Sequence, residues 1–131
     1  MTNVVPASHT DLLEKPIFAA LATVRPDNTV QVNPMWFVHK DGTLRFTHTT
    51  KRAKWRNLQK NPSMAVSLVD PEQGTRYLEV RGKLIDVLPD TEGEFYVSLA
   101  KRYDDRYPFV PADKADRVIL VMSIEHTTHQ G

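Results

Sequence analysis

The sequence predicts a mainly-β domain with short helices, its strands paired antiparallel and curled into a small closed barrel. Three observations carry this expectation. Apolar runs of strand length recur along the chain, separated by Pro, Gly, Asp and Asn turn signals. Successive runs are joined by hairpin-length turns, which makes sequence neighbours antiparallel. Several runs are apolar on both faces, as suits a barrel better than a half-solvated open sheet. The count is about six strands with two or three short helices. A length of 131 residues fits one domain spanning 1–131.

Residues 10–14 (Thr-Asp-Leu-Leu-Glu) read as a short helical turn ahead of Pro16, and 17–24 as a buried strand. Arg25-Pro-Asp-Asn28 turns the chain into a second strand over 29–38. Pro34 lies inside that strand and has no N–H to donate, so the strand is expected at an edge or bulged. Asp41-Gly42 signals a hairpin. The following strand alternates Leu44, Phe46 and His48 with Arg45, Thr47 and Thr49. A short helix over 51–60 is expected next, with Thr50 as its N-cap and Pro62 as its stop. Residues 64–69 read as a further buried strand. A long strand over 75–88 follows, with Gly82 in its middle marking a bulge or a close backbone approach. Pro89-Asp90 opens a helix whose buried stripe is Phe95, Leu99 and Tyr103. Residues 107–111 form a Pro-bounded apolar loop, and 118–124 the last strand.

Composition excludes several function classes. Lys and Arg number 17 against 16 Asp and Glu, so general nucleic-acid binding is not expected. There is no Cys, which removes disulfides, thiolate catalysis and Cys-ligated zinc. Residues 1–10 show no secretory leader, and the longest apolar run is far too short to span a bilayer, so a cytoplasmic protein with no membrane partner is expected. His126 and His129 would point to opposite faces of a strand, so no metal site is expected. His48 alternates with the apolar set and reads as a satisfied core histidine. No nucleotide-loop, nucleophile-elbow or zinc-protease motif is present, and no paired carboxylates or triad can be read. No residue is therefore expected to be catalytic in itself; chemistry would come from a bound cofactor.

The strongest local signal is residues 51–60, with five basic side chains and no acidic one. No carboxylate sits four residues away to offset the repulsion, and the charges crowd a helix N-terminus, where the macrodipole disfavours cations. Such a cluster suits a bound anion, and a phosphate in particular. Arg52 and Arg56 are one helical turn apart, whereas Trp55 and Leu58 are expected to pack inward. Asn33-Pro34-Met35-Trp36-Phe37 offers a bulged strand and an aromatic that could lie against a flat ring.

Strand–turn–strand, Asp-Gly hairpin, strand, Arg52-Ala53-Lys54-Trp55-Arg56-Asn57-Leu58, Asn-Pro, strand and Leu-Glu-Val-Arg-Gly together resemble the split β-barrel flavin and deazaflavin oxidoreductases. These are the pyridoxamine-phosphate-oxidase-like proteins, with an FMN-binding type of split barrel. The resemblance extends over about residues 12–124 and is strongest to the short actinobacterial branch that uses coenzyme F420. It implies a six-stranded split barrel and a homodimer with cofactor sites at its interface. It implies that Thr47, Thr49, Lys51, Arg52, Ala53, Lys54 and Arg56 hold the cofactor phosphate. Asn33, Pro34, Met35 and Trp36 would lie along the ring, and Tyr77 would reach it from the second subunit. Relatives with Trp in that loop differ from this chain, which has Thr75-Arg76-Tyr77. The implied reaction is hydride transfer from reduced F420 to an electron-poor C=C or C=N of a small planar substrate, the acidic cofactor tail running along the remaining basic residues. An FMN-binding oxidase or flavin reductase of the same superfamily, and a non-catalytic cofactor-binding module, are the alternatives.

Overall fold

The computed structural model describes residues 4–131. Of the segment read as lacking a secretory leader, residues 1–3 lie outside the described residues. Strands are β1 (Ala19–Val24), β2 (Val30–Met35), β3 (Val38–Lys40), β4 (Thr43–Thr49), β5 (Ser63–Val69), β6 (Tyr77–Pro89), β7 (Arg117–Ser123) and β8 (His126–Gln130). The helices are α1 (Asp11–Glu14), α2 (Ala53–Lys60) and α3 (Glu94–Arg102), with short 3-10 turns at Ala7–His9 and Lys114–Asp116.

All strand pairs are antiparallel, in the order β2-β1-β5-β6-β7-β4-β3, and β8 adds to β6. β2 and β3 end this path and no ladder joins them among the described residues, so the sheet curls into a half-barrel instead of closing. Eight strands replace the expected six for two reasons. The stretch 29–38 is broken at Trp36-Phe37 into β2 and β3, and the polar tail at 126–130 pairs as β8 with residues 77–81 of β6. Pro34 sits on the edge strand β2, opposite Ala20, as its missing donor requires.

β6 serves three ladders. Its first half pairs with β5 and β8, and its second half with β7, after a register shift between Leu84 and Asp86. Gly82 permits the crossing. A Cβ there would lie 1.9 Å from the carbonyl oxygen of Ser123 at the end of β7. The core fills the concave side with Leu21, Phe37, Leu44, Phe46, Leu58, Val66, Leu78, Leu120 and Met122, all nearly inaccessible. Along β5 the inward set Met64, Val66 and Leu68 alternates with more exposed residues.

Two caps differ in outcome. The N-cap of α2 is Arg52, not Thr50, and makes no side-chain capping bond. Thr50 instead stays outside the helix, its N–H donating to the Asp116 carbonyl (3.2 Å). The Asp90 carboxylate does cap the helix that follows it, accepting from the N–H groups of Phe95 and Tyr96 (3.0 Å each). Leu99 of the expected α3 stripe is buried, while Phe95 and Tyr103 are half-buried.

Candidate functional site

β2, the end of β4, the start of α2 and the start of β7 surround a cleft of about 620 Å³. It is lined by Phe18, Gln31, Asn33, Pro34, Met35, Trp36, Thr47, His48, Arg52, Ala53, Lys54 and Arg117. The curl of the sheet explains the assembly. Thr49 on β4 is opposite Arg117 on β7, and the chain leaves β4 directly into α2. The helix then packs back over β1 and β2. Asn57 donates through Nδ2 to Thr23 Oγ1 (3.2 Å) and Gln31 Oε1 (3.0 Å), and Lys54 Nζ donates to Asn33 Oδ1 (2.9 Å).

Two walls differ in character. One is cationic. Lys54 is 4% exposed and its partner Asn33 is neutral. Burial, and then the neighbouring Arg52, hold its pKa below the ordinary lysine value. Arg117 donates to the Asp113 carboxylate (3.0 Å) and lies 4.7 Å over the ring of Tyr96. A longer contact runs from Arg117 to Thr47 Oγ1 (3.5 Å). The first turn of α2 contains no acidic residue. The other wall is apolar, lined by Pro34, Met35 and Trp36. The Trp36 ring stacks on Tyr103 at 5.6 Å and 19°. Tyr103 in turn fixes the β2–β3 break: its hydroxyl donates to the Ile17 carbonyl (2.6 Å) and accepts from the Phe37 N–H (3.1 Å). Arg102 reinforces this from the same helix end, donating to the carbonyls of Phe37, Glu14 and Lys15.

Eight residues singled out by the sequence meet at this cleft: Asn33, Pro34, Met35, Trp36, Thr47, Arg52, Ala53 and Lys54. Four others stand elsewhere. Thr49 is buried and accepts from the Lys51 N–H (3.3 Å). Lys51 extends outward to Asp116 (3.6 Å), and Arg56 is exposed on the outer face of α2. Tyr77 is half-buried at the start of β6, paired with Val69 and Gln130. Beside it, Arg76 is committed within its own chain, bridging Asp11 (2.7 Å) and Asp70 (2.9 Å).

Sequence reasoning missed Phe18, Gln31, His48 and Arg117. Gln31 was within reach, since it shares a face with Asn33 by the strand period of two. Arg117 carries no local signal, because only the β4–β7 register brings it here. For His48 the expectation needs correction. It is buried at 6% exposure, yet its Nε2 has no hydrogen-bond partner among the described residues, so it is not a satisfied core histidine. Burial, reinforced by the charges of Lys54, Arg52 and Arg117, pulls its pKa down to about 4. No group of His, Asp and Glu suited to a metal ion occurs among the described residues. Nor is any helix there long and apolar enough to cross a membrane.

The family model described as pyridoxamine 5'-phosphate oxidase matches residues 5–131. Among solved structures, one named F420 reductase is 52% identical, with a TM-score of 0.93, covering 96% of this chain and 100% of that one. A conserved hypothetical protein of Mycobacterium tuberculosis, Rv2991, is 22% identical at a TM-score of 0.73, covering 98% and 87%. General stress protein 26 of Bacillus anthracis is 22% identical at 0.68, covering 92% and 88%. The last two share the fold. No curated protein matches.

Proposed function

The chain belongs to the pyridoxamine 5'-phosphate oxidase family, and from that premise we propose that it is an oxidoreductase dependent on coenzyme F420. The observation that carries the proposal is the cleft itself: a buried lysine with no carboxylate partner among the described residues, beside a wall that includes the Trp36 ring. A buried cation paired only with an amide is costly unless an anion joins it. The donor set therefore fits the phosphate of a flavin-type cofactor, and about 620 Å³ lies within the usual range for small-molecule sites, roughly 300–1,000 Å³. Identity of 52% to a structure named F420 reductase supports the deazaflavin over FMN. The exposed Arg56 and Lys60 on the outer face of α2 give an acidic tail a basic path beyond the cleft.

Bound in its reduced form, the cofactor would supply a hydride to an electron-poor C=C or C=N of a small planar acceptor. The residues of the chain bind and orient. Lys54, Arg52 and Arg117 would hold the phosphate end, with Thr47 beside them. Pro34, Met35 and Trp36 would face the ring, and Tyr103, stacked on Trp36, holds that part of the wall in place. The second hydrogen of the reduction enters as a proton from solvent. Phe18, Val30 and Val32 are each 60% or more exposed around β1 and β2, an apolar surface suited to a second copy in a homodimer. The protein acts in the cytoplasm.

The test is titration of the purified protein with F420 and with FMN, oxidised and reduced. Saturable binding of F420 at concentrations where FMN does not bind is expected. Tight FMN binding without F420 binding would make it an FMN oxidase or flavin reductase instead.

A further inference from the structure

Helix α3 lends no side chain to the lining of the cleft, yet it touches both walls. Tyr96, half-buried in its first turn, makes both contacts. The Arg117 guanidinium carbon lies 4.7 Å from the centre of its ring, and the Trp36 ring is 5.9 Å away at 52°. Tyr103 comes two helical turns later and stacks on the same indole. The backbone builds this arrangement. Asp90 donates its N–H to the Arg117 carbonyl (3.0 Å), and its carboxylate accepts from the Tyr96 N–H (3.0 Å). One buried residue thus fixes the start of α3 against the start of β7. The guanidinium is held along one edge and on one face. Asp113 accepts from Nε (3.0 Å) and Nη2 (3.4 Å), Tyr96 covers the face, and Nη1 stands 3.5 Å from Thr47 Oγ1 in the cleft lining. A planar fork gripped in this way keeps one orientation. The buried packing of α3 is carried by Leu99 and Ala100, not by Tyr96.

We propose that Tyr96 is a positioning residue for the anion: its ring face holds the Arg117 guanidinium in the orientation that brings Nη1 to the cleft, and its contact with Trp36 sets that cation relative to the apolar wall. Arg117 is thereby ordered before a ligand arrives, so less rotamer freedom is lost on binding. The same ring links the two walls, so the phosphate end and the ring end of one ligand meet groups at a set separation. This rests on the reading of the cleft as a cofactor-phosphate site.

The experiment is fluorescence titration with F420 and with the same chromophore carrying its ribityl chain but no phosphate. Tyr96→Leu removes the π face and keeps an apolar side chain. Loss of a cation–π contact corresponds to about 2- to 30-fold weaker binding. Tyr96→Leu is expected to lose that much affinity for F420, and Tyr96→Phe to restore it, while the phosphate-free chromophore binds all three proteins equally well. In an Arg117→Met background the Tyr96→Leu loss is expected to vanish, because Tyr96 acts through that guanidinium. A packing role would weaken binding equally in both backgrounds. Should thermal melting show that Tyr96→Leu does not fold, Tyr96→Phe with one, two or three ring fluorines tests the same point with the shape kept. Fluorine withdraws charge from the ring face, so F420 affinity is expected to fall stepwise. If the parent binds FMN alone, FMN and riboflavin replace the two ligands and the same outcomes decide. Parent-like binding by Tyr96→Leu, an undiminished loss without Arg117, or a flat fluorination series overturns the inference and leaves the cofactor reading intact. A parent that binds neither F420 nor FMN overturns both.

Discussion

Replacing Lys54 with Met separates a binding lysine from a structural one, because the two predict opposite signs. Lys54 is 4% exposed, donates to Asn33 Oδ1 at 2.9 Å, and has no carboxylate partner among the described residues. Its depressed pKa records that the fold holds this charge against burial and against Arg52. Met fills nearly the same volume without charge, so the desolvation cost disappears; replacing buried ion pairs by apolar residues of similar volume is often neutral or stabilising by about 1–4 kcal/mol. The Asn33 amide loses its donor but is on an exposed edge residue where water replaces it. Net stability is expected to be unchanged or to rise by about 1–2 kcal/mol in urea denaturation. Cofactor affinity moves the other way. A charge-assisted hydrogen bond contributes about 1.5–3 kcal/mol, so F420 binding is expected to weaken about 10- to 100-fold. Destabilisation of Lys54→Met with parent-like binding would refute the reasoning, since Lys54 would then be a packing residue for α2.

Three further outcomes follow from other parts of the fold. His48 has its pKa lowered from 6.5 to about 4, so between those values the unfolded chain binds a proton that the folded chain refuses, and stability falls as pH falls. That group alone accounts for about 3 kcal/mol across the window, and denaturation at pH 7 and pH 4.5 is expected to show the parent losing more stability than His48→Gln. Gly82→Ala drives a methyl into the Ser123 carbonyl at 1.9 Å, so β6 and β7 must part there; a loss of at least about 1–3 kcal/mol is expected, and an unchanged melting curve would contradict the described crossing. Tyr103→Phe leaves the Ile17 carbonyl without its donor, costing about 1–2 kcal/mol, and releases the β2–β3 break. Its fluorescence is expected to show a more mobile Trp36, measured as lower anisotropy in a Trp55→Phe background.

What the sequence made legible was local chemistry. Asp41-Gly42 gave its hairpin, Pro34 its edge strand and Gly82 its close approach, because each rests on the backbone needs of one residue type. The strand count was short by two because the evidence for β3 and β8 is tertiary. Trp36-Phe37 breaks the chain where Tyr103 and Arg102, more than sixty residues away, hold the backbone. The polar run 126–130 forms a strand only against the edge that β6 presents. The cleft divides in the same way. The basic residues at the start of α2 stood out by composition, but charge density alone could not tell Lys54, which turns inward, from Lys51 and Arg56, which stay outside. Arg117 and His48 depend on register and on an absent partner, and neither leaves a trace in a linear pattern.

The central claim is that the cleft between β2, β4, α2 and β7 holds the phosphate of F420. A crystal structure of the complex tests it most directly. The account predicts a phosphate within hydrogen-bonding distance of Lys54 Nζ and the Arg52 guanidinium, with the ring against Pro34 and Trp36. A cofactor bound on another surface, with Lys54 still paired only to Asn33, would contradict it.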